Sequence, residues 1–533
     1  MNVVILHSHF RRGGVTQVVE NQLAALSESI SGRVVLASGG RNDGLSQQSL
    51  RHSEQLIIEG LDYDAVTGAS IDGLQDRAEQ LVNQIAVALQ QRKLFPDQTV
   101  LHWHNHSLGK NVAVPLVVRL LATQHGYSQL LQIHDFAEDY RPQNYTQLIK
   151  GVRTLFPAES EQRVLTPFLY PRLDSIRYAT LTSGDARALS AVGVDRSRVH
   201  VLPNCVTLTD DSPADQSAAR AKLCRAAGLP TDSRWCVYPV RGIRRKNVGE
   251  FLLLSRLLPV GTFAGITLAP ETDIESQSYR RWREIAQVVA PQTVFDAGRI
   301  EGISFLDNLS AAEFVISTSV AEGFGMAYLE PWLAGRGVIA RRLPNVVNDF
   351  QAAGVQLDRF YDAVWIPADA DWIGESKRQT RNAFDQAWHG VPAAFRPQWR
   401  DDLSAVDQSA RRIDFAALIP ARQIEVLQRM HVDSGFANAI REHNRTLVDW
   451  LAAPFATRVI DANADRIQPQ YSLARAAEQL ITLYRQLPKH KKSDLQSGQS
   501  SDFESAPDQV SVAEIICGER NYFPCRTETE IAR

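Results

Sequence analysis

The sequence predicts an α/β protein: two doubly wound, Rossmann-like domains in tandem, a helical C-terminal extension and a polar tail. Three observations carry that expectation. Short β-branched or aromatic runs recur between helix-period stretches, which is how buried parallel strands and their crossover helices read. The runs fall into two successive series separated by a linker. And 533 residues exceed what one hydrophobic core supports.

The first series is VVIL (3–6), RVVLAS (33–38), TVLHW (99–103), LLQI (130–133) and YATLT (178–182). The linker PADQSAARAKLCRAAGLPTDS follows, and then WCVYPV (235–240), AGITLA (264–269), TVFDAG (293–298), FVIST (314–318), GVIA (337–340) and AVWIP (363–367). These bounds predict an N-terminal domain over 1–210 and a second over 220–370. Residues 371–488 read as a helical extension closed by the amphipathic helix YSLARAAEQLITLYRQL (471–487). Residues 489–533 read as a disordered tail, because KHKKSDLQSGQSSDFESAPD is polar and poor in apolar residues. Its last stretch, VAEIICGERNYFPC, reads as a frayed terminus or a short docking segment.

Composition narrows the function. A net charge of −3 argues against a nucleic-acid binder, which would carry a basic stripe. Cys205, Cys224, Cys236, Cys517 and Cys525 form no C-x-x-C pair, so neither a disulfide framework nor a zinc site is expected. The opening MNVVILHSHF lacks a basic lead and a cleavage site, and no run approaches the ~18 apolar residues of a membrane span. A cytoplasmic location is expected.

Ligands of open α/β sheets gather at the carboxyl ends of the strands. Four features fall there, the histidines of two stretches counting as one. In RRGGVTQVVENQLAAL, Gly13 and Gly14 turn the first strand into a helix whose N-terminus suits an anion, although a tight turn alone would use the same glycines. Alternation on a strand would place His102, His104 and His106 on one face, but no carboxylate or cysteine accompanies them to complete a metal site. His134, followed by Asp135, ends a buried strand. In PVRGIRRKNVGEF, Arg241 offers a planar fork and Lys246 a point charge for phosphate, and Arg244 and Arg245 read as solvated neighbours. In FVISTSVAEGFGMAYLEPWLAG, Glu322 lies in a loop, Gly323 to Gly325 open a helix, and Glu330 falls about two turns into it. Asp369 and Asp371 form a D-x-D, but their position suits ordinary loop aspartates.

Taken together these features resemble the retaining glycosyltransferases of family 4 (glycosyl transferases group 1), which have the GT-B fold. The most specific part is E-x7-E, Glu322 to Glu330. The Arg241/Lys246 spacing, VLPNCV at 201–206, the His134–Asp135 pair, the early Gly-Gly and the helix at 471–487, which resembles the family's last helix crossing back to the first domain, support it in the same order along the chain.

The resemblance implies a hexosyltransferase of carbohydrate metabolism that moves a sugar from a nucleotide-sugar to a hydroxyl acceptor with retention, without metal or cofactor. Arg241 and Lys246 would bind the donor's diphosphate, which Gly13 and Gly14 would let the first domain approach. Glu322, with the N–H groups of Gly323, Phe324, Gly325 and Met326, would hold the sugar. Glu330 would accept from the ribose, and His134 would reach the donor sugar. Arg11 and Arg12, beside the Gly-Gly turn, would hold an anionic acceptor such as a glycerate derivative or a sugar phosphate, or else stand solvated. A lipid acceptor is not expected, since no basic amphipathic helix is present. Three features depart from the family: Asn345 stands where a glutamate is usual, Pro331 inside the helix after Gly325 removes one backbone donor, and residues 371–464 exceed what the fold requires. A GT-B phosphorylase, a sugar-nucleotide epimerase and a non-catalytic sugar-nucleotide-binding protein are the alternatives.

Overall fold

The computed structural model describes residues 1–27, 29–208, 215–400, 406–407, 409, 411–488 and 512–527. The chain divides into two units: one of Met1–Cys205, His389–Gln398 and Tyr471–Glu519, the other of Val206–Trp388, Trp399–Gln470 and Arg520–Arg533.

The first unit is built on a seven-stranded sheet of β1 (Asn2–Leu6), β2 (Val34–Ser38), β3 (Glu54–Ile57), β4 (Thr99–His104), β5 (Ser128–Ile133), β6 (Ile176–Thr180) and β7 (Val199–Val201). The order is β3-β2-β1-β4-β5-β6-β7 and every pair is parallel. Ile5 lies opposite His102 and His102 opposite Leu130, so the residues just past β1, β4 and β5 gather at one edge. Val3, Ile5, Leu36, Val100 and Leu130 are buried beneath the helix Gly14–Ser27, which contributes Val19, Leu23 and Leu26. The helix Leu473–Gln486 joins this core through Leu480, Leu483 and Tyr484. The late amphipathic helix is thus part of the first unit.

The second unit repeats the plan with β8 (Arg234–Arg241), β9 (Thr262–Leu268), β10 (Thr293–Val294), β11 (Phe314–Ser317), β12 (Gly337–Arg341) and β13 (Phe360–Tyr361). Its order is β10-β9-β8-β11-β12-β13, again parallel. In both sheets the order reverses beside the first strand, which creates a switch point between β1 and β4 and another between β8 and β11.

Several expectations need correction. AVWIP does not extend the parallel sheet. Trp365–Pro367 is β14 of a small antiparallel sheet with β15 (Val406–Asp407) and β16 (Arg412–Asp414), in the order β14-β16-β15. The reason is local: Asp414 takes the Val364 N–H at 2.9 Å and Phe415 donates to the Val364 carbonyl at 2.8 Å, so the chain is already paired. Much of the expected linker is the helix Gln216–Ala227, capped by Asp215 at 3.0 Å and ended by left-handed Gly228. The tail expectation fails at 512–527. Val512–Glu519 is helical, and Val512, Ala513, Ile516 and Cys517 are buried in the first unit, while Tyr522, Phe523 and Cys525 are buried in the second. Apolar residues spaced for burial outweigh the polar stretch before them. The rest of the predicted tail lies outside the described residues.

Candidate active site

Two loops meet at the second switch point. β8 ends at Arg241, and the chain then makes a 3-10 turn over Arg244–Lys246. After β11 it runs through Thr318 and Ser319 to Glu322. The Val320 N–H donates to the Arg245 carbonyl at 2.9 Å, and the Thr318 hydroxyl donates to the Lys246 carbonyl at 2.9 Å, so each loop fixes the other. Lys246 Nζ donates to Glu322 Oε1 and the Ser319 hydroxyl donates to the same oxygen at 2.6 Å. Arg245 Nη1 reaches Glu322 Oε2 at 3.2 Å and the Ala321 carbonyl at 3.0 Å. The side chains of Lys246 and Glu322 are only 9% and 8% exposed. Burial alone would raise the Glu322 carboxyl, but Lys246 and Arg245 outweigh it and hold the group below its ordinary range. The pair is charged.

Arg245, which the sequence suggested was solvated, belongs to this cluster. Arg241 does not: it pairs with Glu271 at 2.7 Å and donates to the Ala269 carbonyl at 3.3 Å. Arg244 pairs with Glu275 at 3.1 Å. Asn247 follows Lys246 in the left-handed region at φ 48°, a conformation asparagine tolerates better than most residues. Its amide donates to Glu250 at 3.0 Å. Glu250 and Asp414 both accept from Arg341 on β12, at 2.6 and 2.8 Å, with all three side chains at or below 1% exposure. Burial raises the Glu250 carboxyl despite that arginine, and Tyr361 donates to it at 2.8 Å. No motif announced this network, because its members lie far apart in the chain.

The helix expected after Gly325 is broken in two. A 3-10 turn spans Met326–Tyr328 and a four-residue helix spans Glu330–Leu333. Pro331 explains the break, since it lacks the N–H that an unbroken helix would donate to the Ala327 carbonyl. Glu330 therefore stands in a first turn instead of two turns along. It is half-buried with no partner among the described residues, and burial pushes it up to about 7. Gly325 sits at φ 87°, and a Cβ there would meet Val346 Cγ1 at 2.9 Å. Among the described residues the N–H groups of Gly323, Gly325 and Met326 have no acceptor. The Phe324 ring is buried edge-on to Phe350 at 5.3 Å, so it packs the core.

In the first unit, His134 Nε2 lies 2.8 Å from His104 Nδ1, with the rings stacked at 5.0 Å. The Asn105 side chain accepts from the His134 N–H at 2.7 Å, and His7 Nδ1 lies 2.9 Å from the His104 carbonyl. Burial lowers His7 and His102 to about 3 and His134 to about 4, so the cluster is neutral. His106 leaves the group, since β4 ends at His104, and its Nε2 lies 2.8 Å from the Leu169 carbonyl. Gly13 and Gly14 are exposed, and a Cβ on Gly14 would meet nothing within 4 Å. Arg11 lies 3.5 Å from Asp43, and Arg12 is exposed. Asp369 caps the helix Ala370–Trp388 by accepting from the Trp372 N–H at 2.8 Å, and Asp371 lies in that helix's first turn.

Two parallel sheets with matching strand reversals define an α/β protein of the GT-B fold. The mannosylglucosyl-3-phosphoglycerate synthase of Petrotoga mobilis is 26% identical over 484 residues, covering 86% of both chains. Among solved structures, the sucrose-phosphate synthase of Thermosynechococcus elongatus aligns with a TM-score of 0.53 at 15% identity, over 91% of this chain and 99% of that one. A glycosyltransferase from Rickettsia africae aligns with a TM-score of 0.50 at 10% identity, over 92% and 99%. No family model matches the chain. No helix among the described residues is long and apolar enough to cross a membrane.

Proposed function

We propose that this chain is a glycosyltransferase that moves a hexose from a nucleotide-sugar to a hydroxyl of a small anionic acceptor, with retention and without a metal. The observation that carries the reading is the buried Lys246–Glu322 pair, flanked by Arg245, at the switch point of the second sheet. As the bond from the sugar's anomeric carbon to the diphosphate oxygen breaks, negative charge grows on that phosphate. A fixed cation in a water-poor site lowers the energy of that charge. The acceptor oxygen bonds to the same carbon from the same face, and its proton passes to the departing phosphate. No protein nucleophile is required.

Glu330 suits the ribose, because an unpaired carboxyl gains most from two hydroxyl donors. The free N–H groups at Gly323, Gly325 and Met326 suit sugar or phosphate oxygens. His134, neutral and held by His104, would meet the donor sugar, and Gly13 and Gly14 would admit the diphosphate. Arg241 would add to the phosphate site once it exchanges Glu271 for the ligand. The relative's name includes phosphoglycerate, which supports an acceptor of that kind held by Arg11 and Arg12. Thermal melting with UDP-glucose, GDP-mannose and ADP-glucose in turn tests the reading. The true donor is expected to raise the melting temperature, because binding favours the native state by mass action. No rise with any nucleotide-sugar would count against it.

A further inference from the structure

The C-terminal turn packs on the candidate site. Phe523 and Cys525, 7% and 6% exposed, form a buried cluster with Val320 and Ala416. Pro524–Arg526 is a 3-10 turn that lies against the Arg244–Lys246 turn. The Arg341 guanidinium sits over the Phe523 ring at 5.6 Å. Tyr522 anchors the segment edge-on to Phe384 at 5.2 Å, and its hydroxyl lies 2.7 Å from that of Thr527.

Val320 gives these contacts their meaning. It lies between Ser319 and Glu322, both of which join the charged cluster, and its N–H makes the backbone bond that, with the Thr318 hydroxyl, ties the two loops. Polar contacts fix the Glu322 carboxylate. The Val320 side chain is held by Phe523, Cys525 and Ala416. A loop fixed only at its polar end would keep the carboxylate paired while the backbone beside it moved.

We propose that Phe523 and Cys525 are positioning residues, which hold the Val320 loop and the Arg244–Lys246 turn in register so that Lys246 and Glu322 face a donor correctly. The importance of that register rests on the donor-site reading above. The packing role is testable without it.

The test is site-resolved hydrogen exchange on full-length Phe523→Ala, with Cys525→Ala as a milder truncation and Phe523→Leu as the conservative variant. The amides of Val320 and Lys246, which donate to Arg245 and Ile243, are expected to exchange about tenfold faster in Phe523→Ala. The Ile266 amide on β9 is expected to stay unchanged, and Phe523→Leu to restore most of the protection. Unchanged exchange at Val320 and Lys246, or uniform acceleration that includes Ile266, would overturn the proposal. Calorimetry with UDP, GDP and ADP separates the two readings. A nucleotide that binds the parent protein is expected to bind Phe523→Ala about tenfold more weakly, whereas no binding by the parent would count against the donor-site reading and leave exchange to decide the packing role.

Discussion

Lys246 donates to Glu322 in a site where both are nearly buried, so its charge is fixed before any ligand arrives. In the proposed reaction, replacing it by alanine would remove a charge that acts on the leaving diphosphate. Lys246→Ala is expected to lower turnover on the order of a hundredfold. Arg245 stays within 3.2 Å of Glu322 and limits the loss of stability. Turnover within about threefold of the parent would remove Lys246 from the site. Gly14 offers a cleaner separation of fold from ligand. Its backbone has no positive φ and a Cβ there meets open space, so Gly14→Ala is expected to stabilise by about 0.4–1 kcal/mol. If the diphosphate approaches this turn, the same change weakens donor binding by about tenfold, read by calorimetry with the donor. Unchanged affinity would mean the glycine serves the turn alone. For Arg11 and Arg12, alanine variants are expected to raise the acceptor KM with little change in kcat, and an unchanged KM would discard an anionic acceptor there. At this scale the sequence was partly legible. Glu322 and Lys246 stood out by spacing, yet in the run Arg244–Lys246 nothing shows which cation faces which carboxylate. The fold sends Arg244 to Glu275 and Arg245 to Glu322.

The short helix Glu330–Leu333 is where local chemistry overrode pattern. The apolar spacing after Gly325 suggested one helix, but Pro331 and left-handed Gly325 divide the stretch. That division leaves the Glu330 carboxyl half-buried and pushed up to about 7 from 4.5. A raised carboxyl keeps its proton longer in the folded state than in the unfolded one. Stability therefore falls as pH rises from about 4.5 through about 7, and levels off above. Glu330→Gln is expected to be more stable than the parent at pH 8, on the order of 2 kcal/mol, with the difference vanishing toward pH 4 in denaturant titrations. Hydroxyl donors favour the ionised form, so the parent's donor affinity is expected to rise between about pH 6 and 8 and the variant's to stay flat. The neutral histidines around His134 add no titration in that window. A pH-independent affinity in the parent would place the ribose elsewhere. The strands missed by the sequence were β3, β7, β13, β15 and β16, each four residues or fewer and too short to show a period.

At the scale of the whole chain, two parallel sheets with matching strand reversals were legible because buried parallel strands read as continuous apolar runs. The helix at 471–487, which the resemblance sends back to the first domain, lies in the first unit. The place of the turn Pro524–Arg526 in the second was not legible, because such long-range docking leaves no local pattern in a single sequence. The central claim is transfer of a sugar with retention. It is tested most directly by incubating the protein with UDP-glucose, GDP-mannose and ADP-glucose in turn, together with a phosphoglycerate-bearing acceptor, and following products by proton NMR. The account predicts that one donor is consumed in the presence of the acceptor, that the product keeps the donor's anomeric configuration, and that Lys246→Ala nearly abolishes it. No consumption of any donor, or a product of inverted configuration, would contradict the account.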